Sequence, residues 1–263
     1  MKHREYQSPY TSGFANPSVQ EVDMEPLTVT FKNVSKRYPT KDAVKDLTFE
    51  LPLGQVIGFI GPNGSGKSTT LRLMAGLLHP TQGEVRLNGQ VVNRRASSQI
   101  SYLSDDSAVY PFYTVGEMVN YYKGIFSDFD AHKAQAMLSF MNLDAAQNVR
   151  TLSKGNLGRL KIVLAVSRTV PLIVMDEPLS GLDPLVRESI VKGLISFVDL
   201  TSQTVVMSTH EVDEIEPLLD VAVLMNEGRT VAMDSTENIR SRCGQNMVGW
   251  MKSVLGGTDM KVQ

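Results

Sequence analysis

Gly61-Pro62-Asn63-Gly64-Ser65-Gly66-Lys67-Ser68-Thr69 is the stretch on which the fold turns. It fits the pattern G-x-x-x-x-G-K-[ST]. Residues 55–60 before it read as a short apolar strand, and residues 69–78 after it place apolar side chains at helical spacing. Strand, glycine loop and helix therefore come in the order that a phosphate cradle requires. Glycines at 61, 64 and 66 permit backbone conformations that turn successive N–H groups onto one anion, and the helix start adds its partial positive charge. In this pattern Lys67 reaches the β- and γ-phosphates of a nucleotide and the Ser68 hydroxyl ligates Mg²⁺.

At 263 residues, 42% hydrophobic and 21% charged, the chain is long enough for one large α/β domain with an inserted subdomain. Lys and Arg number 26 against 28 Asp and Glu, with no long run of one sign, so a nucleic-acid partner held through its phosphates is not expected. The single cysteine, Cys243, forms no internal disulfide, which suits a reducing compartment. The most apolar stretch, around residues 163–175, is broken by Arg168 and Pro171 and is too short for a membrane span. A cytoplasmic chain that reaches a membrane only through a partner is the expectation.

Residues 1–25 are polar, interrupted by prolines and without periodicity, and read as a flexible arm. Residues 27–34, 47–53, 84–88 and 90–93 alternate as half-buried strands do, which predicts an antiparallel sheet beside the nucleotide core. Tyr38 lies between the first two, next to a turn; it either stacks on a base or packs on the sheet. Residues 100–103 form another short strand, followed by the polar loop Ser104-Asp105-Asp106-Ser107. Seven of the 18 aromatic residues then fall between Tyr110 and Phe129, marking a small helical core or a docking surface. Residues 131–143 continue at helical spacing, and residues 156–169 read as an amphipathic helix that starts at Leu152-Ser153-Lys154-Gly155-Asn156.

Pro171-Leu172-Ile173-Val174-Met175-Asp176-Glu177 reads as a buried parallel strand ending in two acids, more than a hundred residues beyond Lys67. Beside a phosphate loop, Asp176 completes a Mg²⁺ shell and Glu177 polarises an attacking water. A helix follows Ser180-Gly181-Leu182-Asp183-Pro184, and a further buried strand, residues 204–208, closes on Thr209-His210-Glu211. A lone histidine is often structural; the place of His210 after a strand suggests a functional one.

This series of motifs resembles the nucleotide-binding subunit of ABC transporters, over residues 27–240. It consists of the phosphate loop 61–69, the signature 152–156, the acidic strand 173–177, the turn 180–183 and His210, in that order. The resemblance implies an α/β fold: a P-loop NTPase core with a mostly parallel sheet, an N-terminal antiparallel β-subdomain and an α-helical subdomain inserted at about 105–165. Residues 26–240 would form this ATPase domain and residues 241–263 a C-terminal tail.

It also implies an ATPase working as a head-to-tail dimer with a second nucleotide-binding subunit, as a homodimer or heterodimer. ATP would lie on Gly61, Pro62, Asn63, Gly64, Ser65, Gly66, Lys67, Ser68 and Thr69 of one chain and be closed by Ser153 and Gly155 of the other. Tyr38 would stack on adenine, His210 would contact the γ-phosphate, and Asp183 would link the two sites. An integral membrane permease would dock near Asp105 and Tyr110, Phe112 and Tyr113, leaving the chain peripheral on the inner face of the membrane. Two departures stand out: Lys154 and Asn156 replace the usual glycine and glutamine, and Asp105 replaces a Mg²⁺-sensing glutamine. Both look like compact bacterial subunits of exporter type.

Overall fold

The structure, a computed structural model, describes residues 28–104, 109–243 and 246–258. The N-terminal arm and Asp105 lie outside the described residues.

In chain order, β1 (Thr28–Tyr38) and β2 (Lys41–Pro52) form an antiparallel hairpin, longer than the alternation alone suggests. β3 (Val56–Ile60), the glycine loop and α1 (Lys67–Met74) follow. β4 (Gln82–Leu87) and β5 (Gln90–Val91) return to the first sheet, whose order is β2-β1-β4-β5. After β6 (Ile100–Leu103) come α2 (Val115–Ile125), α3 (Ala131–Phe140) and α4 (Lys154–Val166). Then β7 (Leu172–Asp176), α5 (Pro184–Phe197), β8 (Thr204–Thr209), β9 (Val221–Asn226) and β10 (Arg229–Ser235) complete a six-stranded sheet. Its order is β10-β9-β3-β8-β7-β6, with β10 alone antiparallel to its neighbour. The chain closes with α6 (Thr236–Cys243) and α7 (Met247–Thr258).

The large sheet is covered on both faces, so its inner strands read as unbroken apolar runs. Side chains nonetheless alternate. On β7, Ile173 and Met175 join the core beneath the helices, while Leu172 and Val174 join the core shared by α1 and the antiparallel sheet. On β9, Ala222 and Leu224 face the first core and Val221, Val223 and Met225 the second. Parallel order brings the C-terminal ends of β3, β7 and β8 side by side, which is where such sheets hold their ligands.

The inserted helices begin as the local chemistry dictates. Thr114 and Glu117 form a reciprocal capping box on α2, Asp130 caps α3 through the amide of Lys133, and Pro184 occupies the first turn of α5. α4 differs from the amphipathic helix expected. Every residue from Ile162 to Val166 is buried, because α2, α3, α5 and β6 surround its C-terminal half and leave it no solvent face. Its polar residues end at Lys161. Its end is tied to the α2–α3 turn by the buried Arg168, whose guanidinium donates to both oxygens of Asp128 at 2.7 and 2.6 Å and to the carbonyl of Ile100.

Beyond residue 241 the chain is more than a featureless tail. α7 packs against the single turn Val212–Glu214, with Met247 and Trp250 buried in the helical-side core. The Glu216 carboxylate accepts the Met247 amide at 3.2 Å and lies 3.7 Å from the Arg240 guanidinium, which pins the helix start. Trp250 is 6% exposed. Trp250→Ala is expected to cost about 3–5 kcal/mol and to lower the thermal midpoint by about 10 °C in a circular-dichroism melt. A shift below about 2 °C would mean that α7 contributes nothing to the core.

Candidate functional site

The glycine loop is a cradle with its occupant's place prepared. Gly66 caps α1 at φ 104°, and no side chain caps the helix, so the first-turn N–H groups lack a side-chain acceptor. A side chain is excluded at both ends of the loop: a Cβ on Gly61 would collide with the carbonyl oxygen of Met225, and one on Gly66 would lie 2.6 Å from that of Ala43. Ser65 Oγ is buried with no hydrogen-bond partner among the described residues. An uncapped first turn and an orphaned hydroxyl fit a phosphate chain.

Lys67 lies along this loop. Its ammonium donates to the carbonyls of Gly61 at 2.8 Å and Pro62 at 3.2 Å and stands 3.9 Å from Glu177 Oε1. Burial pulls its pKa down, and the charges of Glu177 and Asp176 act against that shift. Lys41 at the start of β2 adds a second ammonium, 3.5 Å from the carbonyl of Gly64.

Asp176, at the end of β7 and 8% exposed, is the most heavily hydrogen-bonded group of the site. Its Oδ1 accepts from the hydroxyls of Ser68 at 2.8 Å and Ser208 at 2.7 Å. Its Oδ2 accepts from the Tyr102 hydroxyl at 3.4 Å. Burial, and after it the charge of Asp176, push the Tyr102 phenol up to about 12, so it stays a donor at neutral pH. Arg72 on α1 is close enough to this phenol and to Asp176 that both raise its pKa, Tyr102 the more strongly. Ser68 and Asp176 supply paired hard oxygens of the kind Mg²⁺ takes when substrate phosphates and water complete its shell. No group of three or more ionisable ligands that would hold a metal by itself occurs among the described residues.

Glu177 adopts φ 52°, a left-handed conformation that a non-glycine residue enters only when its surroundings impose it. Ser208 imposes it by accepting the Glu177 amide at 3.0 Å while donating to Asp176. The turned backbone aims the carboxylate at His210, whose Nδ1 lies 2.7 Å from Glu177 Oε2. Lys67, Ser68, Asp176, Glu177 and His210 thus meet at three neighbouring strand ends. Tyr38, at the end of β1, is 37% exposed with the Lys36 ammonium 5.5 Å from its ring centre.

The signature residues serve this chain's own structure. The Ser153 hydroxyl caps α4 by accepting the Asn156 amide at 3.2 Å. Gly155 is required where α4 meets α5, since a Cβ there would lie 2.8 Å from Val186 Cγ2. Asp183 caps α5 through the amides of Leu185 and Val186. Lys154 reaches over Gly181, and together with Asp176, Glu177 and Ser180 it lines a cavity of about 60 Å³. Ser208, Tyr102 and Arg72 enter the site without belonging to any motif. Only the place of Ser208 at the end of a buried strand next to β7 signals it.

Comparison with known proteins agrees with this geometry. Residues 44–180 match the ABC transporter family model. The chain is 30% identical over 225 residues to the uncharacterized ABC transporter ATP-binding protein YhaQ of Bacillus subtilis, covering 84% of this chain and 75% of that protein. It is 34% identical over 221 residues to the Nod factor export ATP-binding protein I of Burkholderia orbicola, covering 80% and 71%. Among solved structures, the fold matches an ATP-binding subunit of an ABC transporter with a TM-score of 0.75 at 24% identity, covering 86% of this chain and 99% of that one. It also matches a bacterial Atm1-family ABC exporter with ATP bound, with a TM-score of 0.72 at 21% identity, covering 88% of this chain and 42% of that one. A phosphate cradle, an acidic strand end and this agreement in sequence lead to one assignment: the chain belongs to the ABC transporter family as an ATP-binding subunit with an ABC-type ATPase domain.

Proposed function

We propose that this chain hydrolyses MgATP as one half of a head-to-tail pair of nucleotide-binding subunits and drives an exporter-type membrane permease. The observation that carries the reading is the meeting of Lys67, Ser68, Asp176, Glu177 and His210, with the Glu177–His210 contact at 2.7 Å. ATP enters with its phosphates on the amides of residues 61–69, and Lys67 exchanges the carbonyls of Gly61 and Pro62 for phosphate oxygens. Ser68 and Asp176 would hold Mg²⁺, which would supply positive charge to offset that of the phosphates. Glu177 takes a proton from the attacking water, and His210 holds the carboxylate in place and touches the γ-phosphate. Tyr38 stacks on adenine.

The second half of the site comes from the other subunit, whose Ser153 and Gly155 close on the γ-phosphate, with Asp183 joining the two sites. A helix start that is already capped and rigid in this chain suits that task, because its N–H groups need no reordering on closure. No helix among the described residues is long and apolar enough to cross a membrane; in this reading a separate permease carries the cargo. Tyr110, Phe112 and Tyr113 form its docking surface. Phe112 is 69% exposed and stacks on Tyr110, and the ring series continues inward through Tyr121 and Tyr122 to Phe126. The export direction follows the names of relatives such as the Nod factor export protein.

Glu177→Gln is expected to cut ATP turnover by about 10²–10⁴-fold and to convert from monomer to dimer in light scattering only when MgATP is present. A persistent monomer that still binds ATP would point to a different chain as the second half. Ser208→Ala removes one hydrogen bond to Asp176 and one to the Glu177 amide, so turnover should fall by about tenfold or more with about 1–3 kcal/mol lost from stability. Unchanged turnover in steady-state assays would sever Ser208 from the site. Replacing Phe112 and Tyr113 by Ser should abolish transport in reconstituted vesicles while ATP binding persists; loss of ATP binding would place the pair in the core.

A further inference from the structure

Asp176 is nearly buried, and an ionised carboxylate in that position must have each oxygen satisfied and its plane fixed. The two oxygens are served unequally. Oδ1 has two hydroxyl donors, Ser68 and Ser208, on adjoining elements. Among the described residues, Oδ2 accepts from the hydroxyl of Tyr102 alone, from the neighbouring strand β6. Ser68 has a single O–H, which it already gives to Asp176, so it can offer a cation only a lone pair. Rotation of the carboxylate about its own axis is then opposed on the far side by Tyr102 alone. Arg72, on the helix that follows the phosphate loop, is near enough to both groups for Tyr102 and Asp176 to raise its pKa. The chain of contacts runs from α1 through β6 to the end of β7.

We propose that Tyr102 is a positioning residue for the metal carboxylate: its hydroxyl fixes Asp176 Oδ2, so that a divalent cation arriving with ATP meets the carboxylate in one orientation. The inference rests on the proposed function, in which Ser68 and Asp176 receive Mg²⁺. Its consequence is specific to the metal. Among the described residues the Tyr102 hydroxyl bonds Asp176 and not the phosphate loop, so the nucleotide itself should not sense the loss of one hydroxyl.

The test compares wild-type protein with Tyr102→Phe, which keeps the ring and deletes the hydroxyl. Mn²⁺ binding in the presence of a non-hydrolysable ATP analogue is followed by electron paramagnetic resonance, and analogue binding in EDTA by calorimetry. Tyr102→Phe is expected to weaken Mn²⁺ binding by about tenfold, the lower end of what outer-shell partners contribute, because its bond is long at 3.4 Å. Analogue affinity in EDTA should stay within about twofold of wild type, a margin well inside the tenfold effect. Arg72→Gln should weaken Mn²⁺ binding in the same direction by less. Equal Mn²⁺ affinity in Tyr102→Phe and wild type overturns the proposal, and so does an equal fall in analogue affinity without metal, which would make the hydroxyl merely structural. Failure of wild-type protein to bind Mn²⁺ with the analogue would instead overturn the underlying functional reading.

Discussion

A carboxylate at the end of a buried strand imposes strict demands on its surroundings. Asp176 closes β7, a strand with no exposed residue, and without donors its burial would cost several kcal/mol. Its donors come from α1, β8 and β6, three elements that adjoin β7 in the sheet or pack on it. Satisfying one acid therefore fixes the register of the nucleotide loop, the histidine-bearing strand and the strand that leads into the helical insertion. Ser208 goes further, since the same hydroxyl holds the amide of Glu177 and forces the left-handed turn that points that carboxylate to His210. The architecture of the site is a solution to a desolvation problem, and reactivity is built on it.

The signature shows how one residue satisfies two demands. Ser153 and Asp183 are helix caps, and Gly155 is a close-packing point between α4 and α5; each is needed here even with no second subunit present. A cap leaves a helix start ordered, and an ordered start presents its amides and its dipole to whatever anion approaches. The surface that a second subunit would offer to ATP is thus already rigid in the single chain. Lys154 fits the same scheme: it lies over Gly181, whose φ of 65° and lack of a side chain leave room for the lysine. Signature and acidic-strand turn are joined within the chain before any partner arrives.

Much of this was legible in the sequence where local chemistry sets the structure. The phosphate loop and the acidic strand end depend on residue types at fixed short spacings, and each lies where the spacing places it. Three kinds of feature were not legible. β9 and β10 carry no motif, yet β9 lies against β3 in the middle of the sheet, a long-range pairing that only the folded sheet specifies. α4 has helical periodicity, but which faces are buried depends on how many neighbours surround it, and four elements do. Ser208 and Tyr102 meet Asp176 from 32 and 74 residues away, and no spacing rule reaches that far.

The helical insertion must move as a body if events at one end are to be felt at the other, and its attachment is stiff where that matters. Arg168 is 4% exposed, gripped by both oxygens of Asp128, bonded to the carbonyl of Ile100 and stacked 4.1 Å from the Phe126 ring. Ile100 opens β6, and β6 carries Tyr102 two residues on. Phe126 is the inner end of the aromatic series whose outer end is Phe112. A force applied to the exposed rings therefore has a continuous path of close contacts, through a paired and buried guanidinium, to the strand that touches Asp176. A buried ion pair is poor value as a source of stability but resists shear, because sliding either partner leaves an uncompensated charge. That resistance makes Arg168 and Asp128 a stiff joint between the exposed aromatic series and the strand whose Tyr102 touches Asp176.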